Sequence, residues 1–167
     1  MDFAKAFDTI DWSFIFKILQ ARGFGGRWYG WIQSLLSSGL SGTPFRCKRG
    51  LRQGGPLSPY LFILGVDVLS CIMKLVYEGG FVQKVGPWNP GIACLQYADD
   101  TLMLLLSDLV SIKRVKILLY IFELLSGLSI NFNKSSLYQL GPPCLDLAAV
   151  SGAVSYTHLT LPTIYSV

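Results

Sequence analysis

The stretch from Ile92 to Leu106 reads IACLQYADDTLMLLL, two apolar runs, Ile92 to Tyr97 and Thr101 to Leu106, flanking Asp99 and Asp100. Runs of this length around polar turn residues predict a β-hairpin with the carboxylates at its turn. The acidic pair has two readings. Asp is good turn chemistry in its own right. Two ionised carboxylates among Leu, Tyr, Met and Ala side chains are otherwise costly to desolvate, and a divalent cation would neutralise them. Magnesium takes a few carboxylates together with phosphate oxygens and water, which makes nucleotide or nucleic-acid phosphate its natural second ligand.

A third carboxylate, Asp2, opens DFAKAFD (Asp2 to Asp8), which alternates like the end of a strand and is a candidate neighbour of the hairpin. Between the two lie helical signals. Asp11 stands as N-cap before Trp12 to Arg22, where Ile15, Ile18, Leu19 and Arg22 fall at helical spacing and Gly23 stops the run. A second helix is expected from about Arg27 to Ser37, with Trp28, Trp31, Ile32, Leu35 and Leu36 on one face. Gly39 to Gly55 reads as loop or short hairpin. Ser58 and Pro59 then look like an N-cap and first residue of a helix that is apolar nearly all round to Tyr77 and belongs in the interior. Gly86 to Gly91 is a turn region. Ser107 or Asp108 is set to cap a long amphipathic helix ending near Ser126 with Gly127 behind it, and Leu128 to Phe132 reads as a short strand. This order predicts an α+β fold with an antiparallel sheet packed with helices.

The 167 residues are 51% hydrophobic and 14% charged, with mean hydropathy +0.47 and net charge +4. That excludes a disordered chain and fits, without demanding, an anionic partner. The greasiest stretches, Leu57 to Met73 and Leu102 to Leu125, are interrupted by charges, so buried elements explain them better than membrane spans and no stable membrane association is expected. Cys47, Cys71, Cys94 and Cys144 lack the paired spacing of a zinc site and read as free thiols of an intracellular protein. No signal peptide opens the chain.

From Val154 the text runs VSYTHLTLPTIYSV, with neither helical period nor strand alternation. It resembles the conceptual translation of a sequencing-library adapter, so residues 154–167 are expected to be non-native; a natural C-terminal strand is the competing reading. The sole histidine, His158, lies there, and without it no imidazole general-base or Ser-His-Asp scheme is available. What remains is carboxylate chemistry.

Four segments carry a family resemblance: DFAKAFDTIDW (Asp2 to Trp12), RGLRQGGPLSPYLF (Arg49 to Phe62), YADD (Tyr97 to Asp100) and GLSINFNKSSL (Gly127 to Leu137). In order and character they resemble the palm motifs of reverse transcriptases from non-LTR, LINE-class retrotransposons, most of all the plant ones. The resemblance covers residues 1–153 and implies a polymerase palm-like antiparallel sheet packed with helices, truncated at both ends.

By that resemblance Asp2 and Asp99 would hold two magnesium ions, with manganese as a substitute, and Asp100 would support them as a third metal-site carboxylate. One ion would activate a primer 3′-hydroxyl and the other would stabilise the pyrophosphate leaving group. Phe3 and Phe7 fall in the motif that meets the incoming nucleotide; Phe7 matches the bulky aromatic under the sugar, which excludes a 2′-hydroxyl, and is otherwise a core aromatic. Gln53 and Gly54 match the pair over the nucleotide, with Arg52 beside them. Arg46, Lys48 and Arg49 are candidates for sequence-independent phosphate contacts, or a solvated basic loop. Lys134 resembles the lysine that donates a proton to, or neutralises, the leaving pyrophosphate, and is otherwise a surface lysine. The implied partners are an RNA template, a DNA primer and deoxynucleoside triphosphates, and the implied setting is a nuclear or cytoplasmic retrotransposon ribonucleoprotein.

Two departures stand out. Gly55 occupies the place of a usual aspartate in RQGDPLSP, and Ser37 to Phe45 is shorter than its counterpart. With fingers, thumb and nuclease regions outside the chain, the expectation is a decayed palm fragment with little polymerase activity. The alternatives are a translated pseudogene remnant without enzymatic function and, on composition alone, a hydrophobic membrane-associated or interaction protein.

Overall fold

A computed structural model describes residues 1–37, 48–83, 94–106, 108–138 and 159–160. The order is β1 (Phe3–Ala4), α1 (Ala6–Thr9), α2 (Trp12–Ala21), α3 (Gly26–Ser37), α4 (Ser58–Glu78), β2 (Cys94–Tyr97), β3 (Asp100–Met103), α5 (Leu109–Ser126), β4 (Ser129–Ile130), a 3₁₀ turn (Phe132–Lys134), β5 (Leu137–Tyr138) and β6 (Leu159–Thr160). The chain is α+β, as its order of signals predicts, with strands paired in twos: β1 with β4, β2 with β3, β5 with β6. It divides into two compact units. One comprises Met1–Phe3, Ser70–Ile121 and Ile130–Val167; the other comprises Ala4–Leu69 and Phe122–Ser129.

In the first unit β2 and β3 form the expected antiparallel hairpin, with Tyr97 opposite Asp100 and Cys94 opposite Met103. The loop is therefore the two residues Ala98 and Asp99, and Ala98 takes the positive φ of +53° that a two-residue hairpin requires at its first central position. A non-glycine residue pays on the order of 1 kcal/mol for that backbone. Asp108 is the cap of α5: its Oδ1 accepts from the amides of Val110 and Ser111, each at 2.9 Å. Burial falls on Ile112, Val115 and Leu119 of α5 and Met73 and Tyr77 of α4, while Ile117 and Val110 stay exposed, so α5 is less amphipathic than its sequence suggests. The strand expected over Leu128 to Phe132 is confined to β4, because the chain turns into the 3₁₀ segment at Phe132.

The second unit is built around Ile10, Phe14, Ile15, Leu19, Phe62, Leu69, Phe122 and Leu128, all at or below 7% exposure. Asp11 caps α2 as expected, its carboxylate accepting from the Ser13 amide at 2.7 Å. Strand-like alternation from Asp2 to Asp8 is a misreading beyond Ala4. Lys5 adopts φ +48°, the chain reverses, and Ala6–Thr9 closes a single helical turn with Thr9 Oγ1 donating to Lys5 O.

α4 does not lie wholly in the interior. Leu61, Phe62, Val66, Leu69, Met73 and Tyr77 form a buried stripe, but Tyr60, Ile63 and Leu75 are more than half exposed. By length and composition alone this helix could also cross a membrane; its stripe shows the one-sided burial of a packed helix. The apolar face of α3 is only partly covered: Ile32 is buried, whereas Trp28, Trp31 and Leu35 are 47%, 58% and 53% exposed. Ser58 begins α4, but its hydroxyl donates to Arg52 O at 2.6 Å instead of capping the helix.

Cys71 and Cys94 are not bridged by disulfides, as expected; Cys47 and Cys144 lie outside the described residues. So do the turn region from Gly86 to Gly91, Ser107, and most of residues 154–167. Of that tail, Leu159 and Thr160 are described, paired in parallel with β5.

Candidate active site

The acidic residues lie in the first unit. The Met1 terminal ammonium donates to Thr101 O and the Thr101 amide donates to Met1 O, each at 2.9 Å. The pair of bonds holds Asp2, the next residue, beside the β2–β3 hairpin that carries Asp99 and Asp100. On its other side Asp2 accepts from the Asn131 amide at 2.9 Å and donates its own amide to Ser135 Oγ at 3.2 Å. The buried Ser135 hydroxyl passes a bond on to Asn131 O at 2.8 Å. Residues 1–2 are thus a middle rung between the acidic hairpin and the segment that carries Lys134, whose Nζ lies 4.0 Å from Asp2 Oδ2. Sequence reasoning missed Thr101, Asn131 and Ser135 as positioning residues; Ser135 sits next to Lys134 in the same motif, the one available signal.

Among the described residues no three His, Cys, Asp or Glu side chains gather into a ready metal cluster. The three-carboxylate metal site expected at Asp2, Asp99 and Asp100 is therefore not preformed. Asp99 belongs to the turn and Asp100 to the strand, where successive side chains alternate faces, and the Asp2 carboxylate faces an ammonium. The donor chemistry still fits magnesium, a hard cation that is held through one or two carboxylates completed by substrate phosphates and water.

A separate cleft of about 660 Å³ lies in the second unit, lined by Asp8, Trp12, Leu35 and the run from Arg49 to Ser58. Its floor is laid by the loop after α3 running antiparallel to residues 7–12. Trp12 donates its amide to Lys48 O at 3.0 Å, Gly50 donates to Ile10 O at 2.8 Å, and Leu51 donates to Phe7 O at 2.5 Å. Trp12 Nε1 adds a bond to Gly50 O at 2.6 Å, and Arg49 pairs with Asp11 across a bridge at 3.5 Å. Burial alone would raise the Asp11 pKa; the hydrogen bonds from Ser13 and the Arg49 guanidinium outweigh it and hold the carboxyl below its ordinary value. Gly50 has φ +84°, and a Cβ there would sit 2.9 Å from Asp8 O, so this close approach requires glycine.

The cleft brings together Arg49, Arg52, Gln53 and Gly54 among the expected binding residues. Lys48 is exposed beside it and contributes backbone to the floor; Arg46 lies outside the described residues. Phe7 is half-buried with its ring stacked on Phe62, centroids 4.7 Å apart. Phe3, in the first unit, is 3% exposed, a core ring that presents no face to a nucleotide.

A family model described as reverse transcriptase (RNA-dependent DNA polymerase) matches residues 1–157. The chain belongs to the reverse transcriptase family. This reverse transcriptase segment is 28% identical over 144 residues to a 149 kDa transposon TX1 protein of Xenopus laevis, covering 81% of the chain and 11% of that protein. It is 33% identical over 144 residues to the Pol polyprotein of the type-1 retrotransposable element R2 of Popillia japonica, covering 81% of the chain and 20% of that polyprotein. An uncharacterized mitochondrial protein of Arabidopsis thaliana is 50% identical over 56 residues, 32% of the chain and 46% of that protein. These relatives support a reverse transcriptase of a LINE-type element. The chain spans a tenth to a fifth of the two retroelement proteins' length.

Proposed function

We propose that this reverse transcriptase segment supplies the carboxylates and the nucleotide-facing loop for RNA-templated DNA synthesis, extending a DNA primer with deoxynucleoside triphosphates. The observation that carries the reading is the Met1–Thr101 bond pair, which holds Asp2 alongside the Asp99–Asp100 hairpin. Asp2, Asp99 and Asp100 would hold divalent magnesium. When bound, the metal supplies a lowered pKa for the attacking hydroxyl and charge stabilisation for the leaving group.

The rest falls to the chain's own groups. The Lys134 ammonium, exposed beside Asp2, offsets negative charge on a departing pyrophosphate. Arg49 and Arg52 attract phosphate without regard to base, and the Gln53 amide offers both donors and an acceptor at the cleft. Gly54 lets a ligand approach the backbone closely. The Phe7 ring, braced on Phe62, is the proposed barrier to a ribose 2′-hydroxyl.

The test is manganese-induced line broadening of backbone amides in this chain, run beside magnesium-dependent primer extension on an RNA template by the same segment joined to fingers and thumb regions. Extension lost in Asp99→Asn, with broadening centred on Asp2, Asp99 and Asp100, is the expected result. Extension that survives Asp99→Asn, or broadening that leaves these residues untouched, would overturn the assignment.

A further inference from the structure

The rings left exposed on α3 and just before it point to a use beyond the cleft. Phe24, Trp28 and Trp31 are 38%, 47% and 58% exposed and touch in sequence: Phe24 meets Trp28 edge to face at 5.9 Å, and Trp28 meets Trp31 at 5.5 Å. Nothing crowds the helix beside them, for a Cβ built at Gly26 or Gly30 would meet open space. The row ends at Leu35, half exposed, which is itself part of the cleft wall with Arg49 and Gln53. From Trp28 to Leu35 the helix advances about 10 Å. A connected aromatic surface this exposed marks an interaction site.

Charge decides what the occupant is. From Asp8 to Asp67 the chain has seven Lys and Arg residues against three Asp; Asp11 pairs with Arg49 and Asp67 with Arg22, and the stretch remains net cationic. Lys17 and Arg27 of this stretch are exposed, Arg27 directly before Trp28. A cationic surface bearing a row of exposed rings is what single-stranded nucleic acid requires, since every base has a face to stack and every nucleotide a phosphate to neutralise. The spacing Trp28, Trp31, Leu35 also suits a packed helix, but the excess of cations over carboxylates in this part of the chain favours an anionic occupant.

We infer that the Phe24–Trp28–Trp31 row is a stacking track for single-stranded RNA, guiding the strand along α3 into the cleft. The inference rests on the reading of the cleft as the nucleotide and template site, and places a part of the strand outside it.

The experiment titrates the chain with a fluorescein-labelled single-stranded RNA of mixed sequence, following anisotropy and intrinsic tryptophan fluorescence together. Stacking quenches the tryptophans. Trp28→Ala with Trp31→Ala should weaken binding at least about tenfold and remove most of the quenching, while Trp28→Phe with Trp31→Phe keeps affinity to within about threefold because a stacking ring remains. Arg27→Ala should reduce the salt slope of binding by about one. Binding within twofold of wild type in the double alanine variant would overturn the track. So would concentration-dependent self-association that the same variant abolishes while RNA affinity holds, which would assign the rings to a second copy. The cleft fails separately: Arg52→Ala reads it through triphosphate binding, so a cleft that takes no triphosphate beside rings that still quench with RNA refutes the cleft reading and keeps the track.

Discussion

Lys134 Nζ stands 4.0 Å from Asp2 Oδ2, with the lysine side chain 73% exposed and the aspartate 20%. An ion pair so open to water adds at most about 1 kcal/mol to stability. Its larger consequence is for a cation at Asp2, because the ammonium is a like charge. A unit charge about 4 Å from a divalent ion costs about 2 kcal/mol in a water-like medium. Lys134→Ala should therefore tighten manganese binding by at least about tenfold while leaving the melting temperature nearly unchanged, as electron paramagnetic resonance titration and calorimetry can check. Unchanged manganese affinity would mean that the ion does not bind at Asp2.

Phe7 is the residue on which sugar choice should turn. Phe7→Val removes its stack on Phe62, worth about 1 kcal/mol, and opens room at the ring's place. Incorporation of ribonucleotides relative to deoxynucleotides should rise by at least about tenfold if the lost clash exceeds about 1.4 kcal/mol. Single-nucleotide incorporation assays measure the ratio, and an unchanged ratio removes the barrier role.

Gly55, where the family resemblance leads one to expect aspartate, is held against α4. A Cβ there would lie 2.8 Å from Ser58 Oγ and 3.2 Å from Arg52 O, the two atoms joined by the Ser58 hydrogen bond. Gly55→Asp should force the hydroxyl off Arg52 O at a cost of about 1 kcal/mol, and Ser58→Ala should lose a similar amount. Because both act on one bond, the double variant should be no worse than the worse single one, a non-additivity that urea denaturation of the four proteins can measure.

At Gly127 the backbone has φ +76°, and a Cβ would sit 2.7 Å from Thr9 O. Both the left-handed conformation and the contact with backbone exclude a side chain. Gly127→Ala should cost more than about 1 kcal/mol, while Gly30→Ala, on an open helical face, should stabilise by about 0.5 kcal/mol. Equal effects at the two sites would contradict the packing of Gly127 on Thr9.

Asp108 sets a pH dependence. Hydrogen bonds from the Ser111 side chain and amide, followed by that of Val110, hold its pKa below the ordinary carboxylate value. A depressed folded-state pKa means stability that is present above the unfolded value near pH 4 and lost as pH falls through the lower folded value. Asp108→Ala should cost about 1 kcal/mol at pH 7. The difference from wild type should shrink as acid titrates the cap, and a gap that stays constant down to pH 2 would refute the capping role.

Much of the chain follows from local rules. Asp11 and Asp108 cap helices because a short acidic side chain reaches the first free amides, and Gly127 ends α5 because the stop needs a positive φ; the caps and the stop are set by neighbours in sequence, and the contact with Thr9 O adds a second, tertiary demand for glycine at 127. The YADD turn is equally local, since Ala98 and Asp99 are bounded by apolar runs that pair with each other. The motifs placed the chain in its family for the same reason: each is a short run whose chemistry is carried by adjacent residues.

Other features required partners distant in sequence. Alternation from Asp2 to Asp8 looked like strand, but the left-handed Lys5 ended it, and the neighbour of Asp2 was decided by Met1 bonding Thr101 one hundred residues away. Period alone puts the apolar residues of α3 on one face, but burial needs a facing element, and Trp28 and Trp31 are left exposed. Ser58 looked like a helix cap until Arg52 O claimed its hydroxyl. Sequence by itself determined which residue types stand in each motif, the caps and the turn, because these rest on neighbours a few bonds apart. Tertiary structure decided which carboxylate lies beside the hairpin, which loop floors the cleft and which rings remain in water, because those depend on hydrogen bonds and packing between segments that local periodicity does not encode.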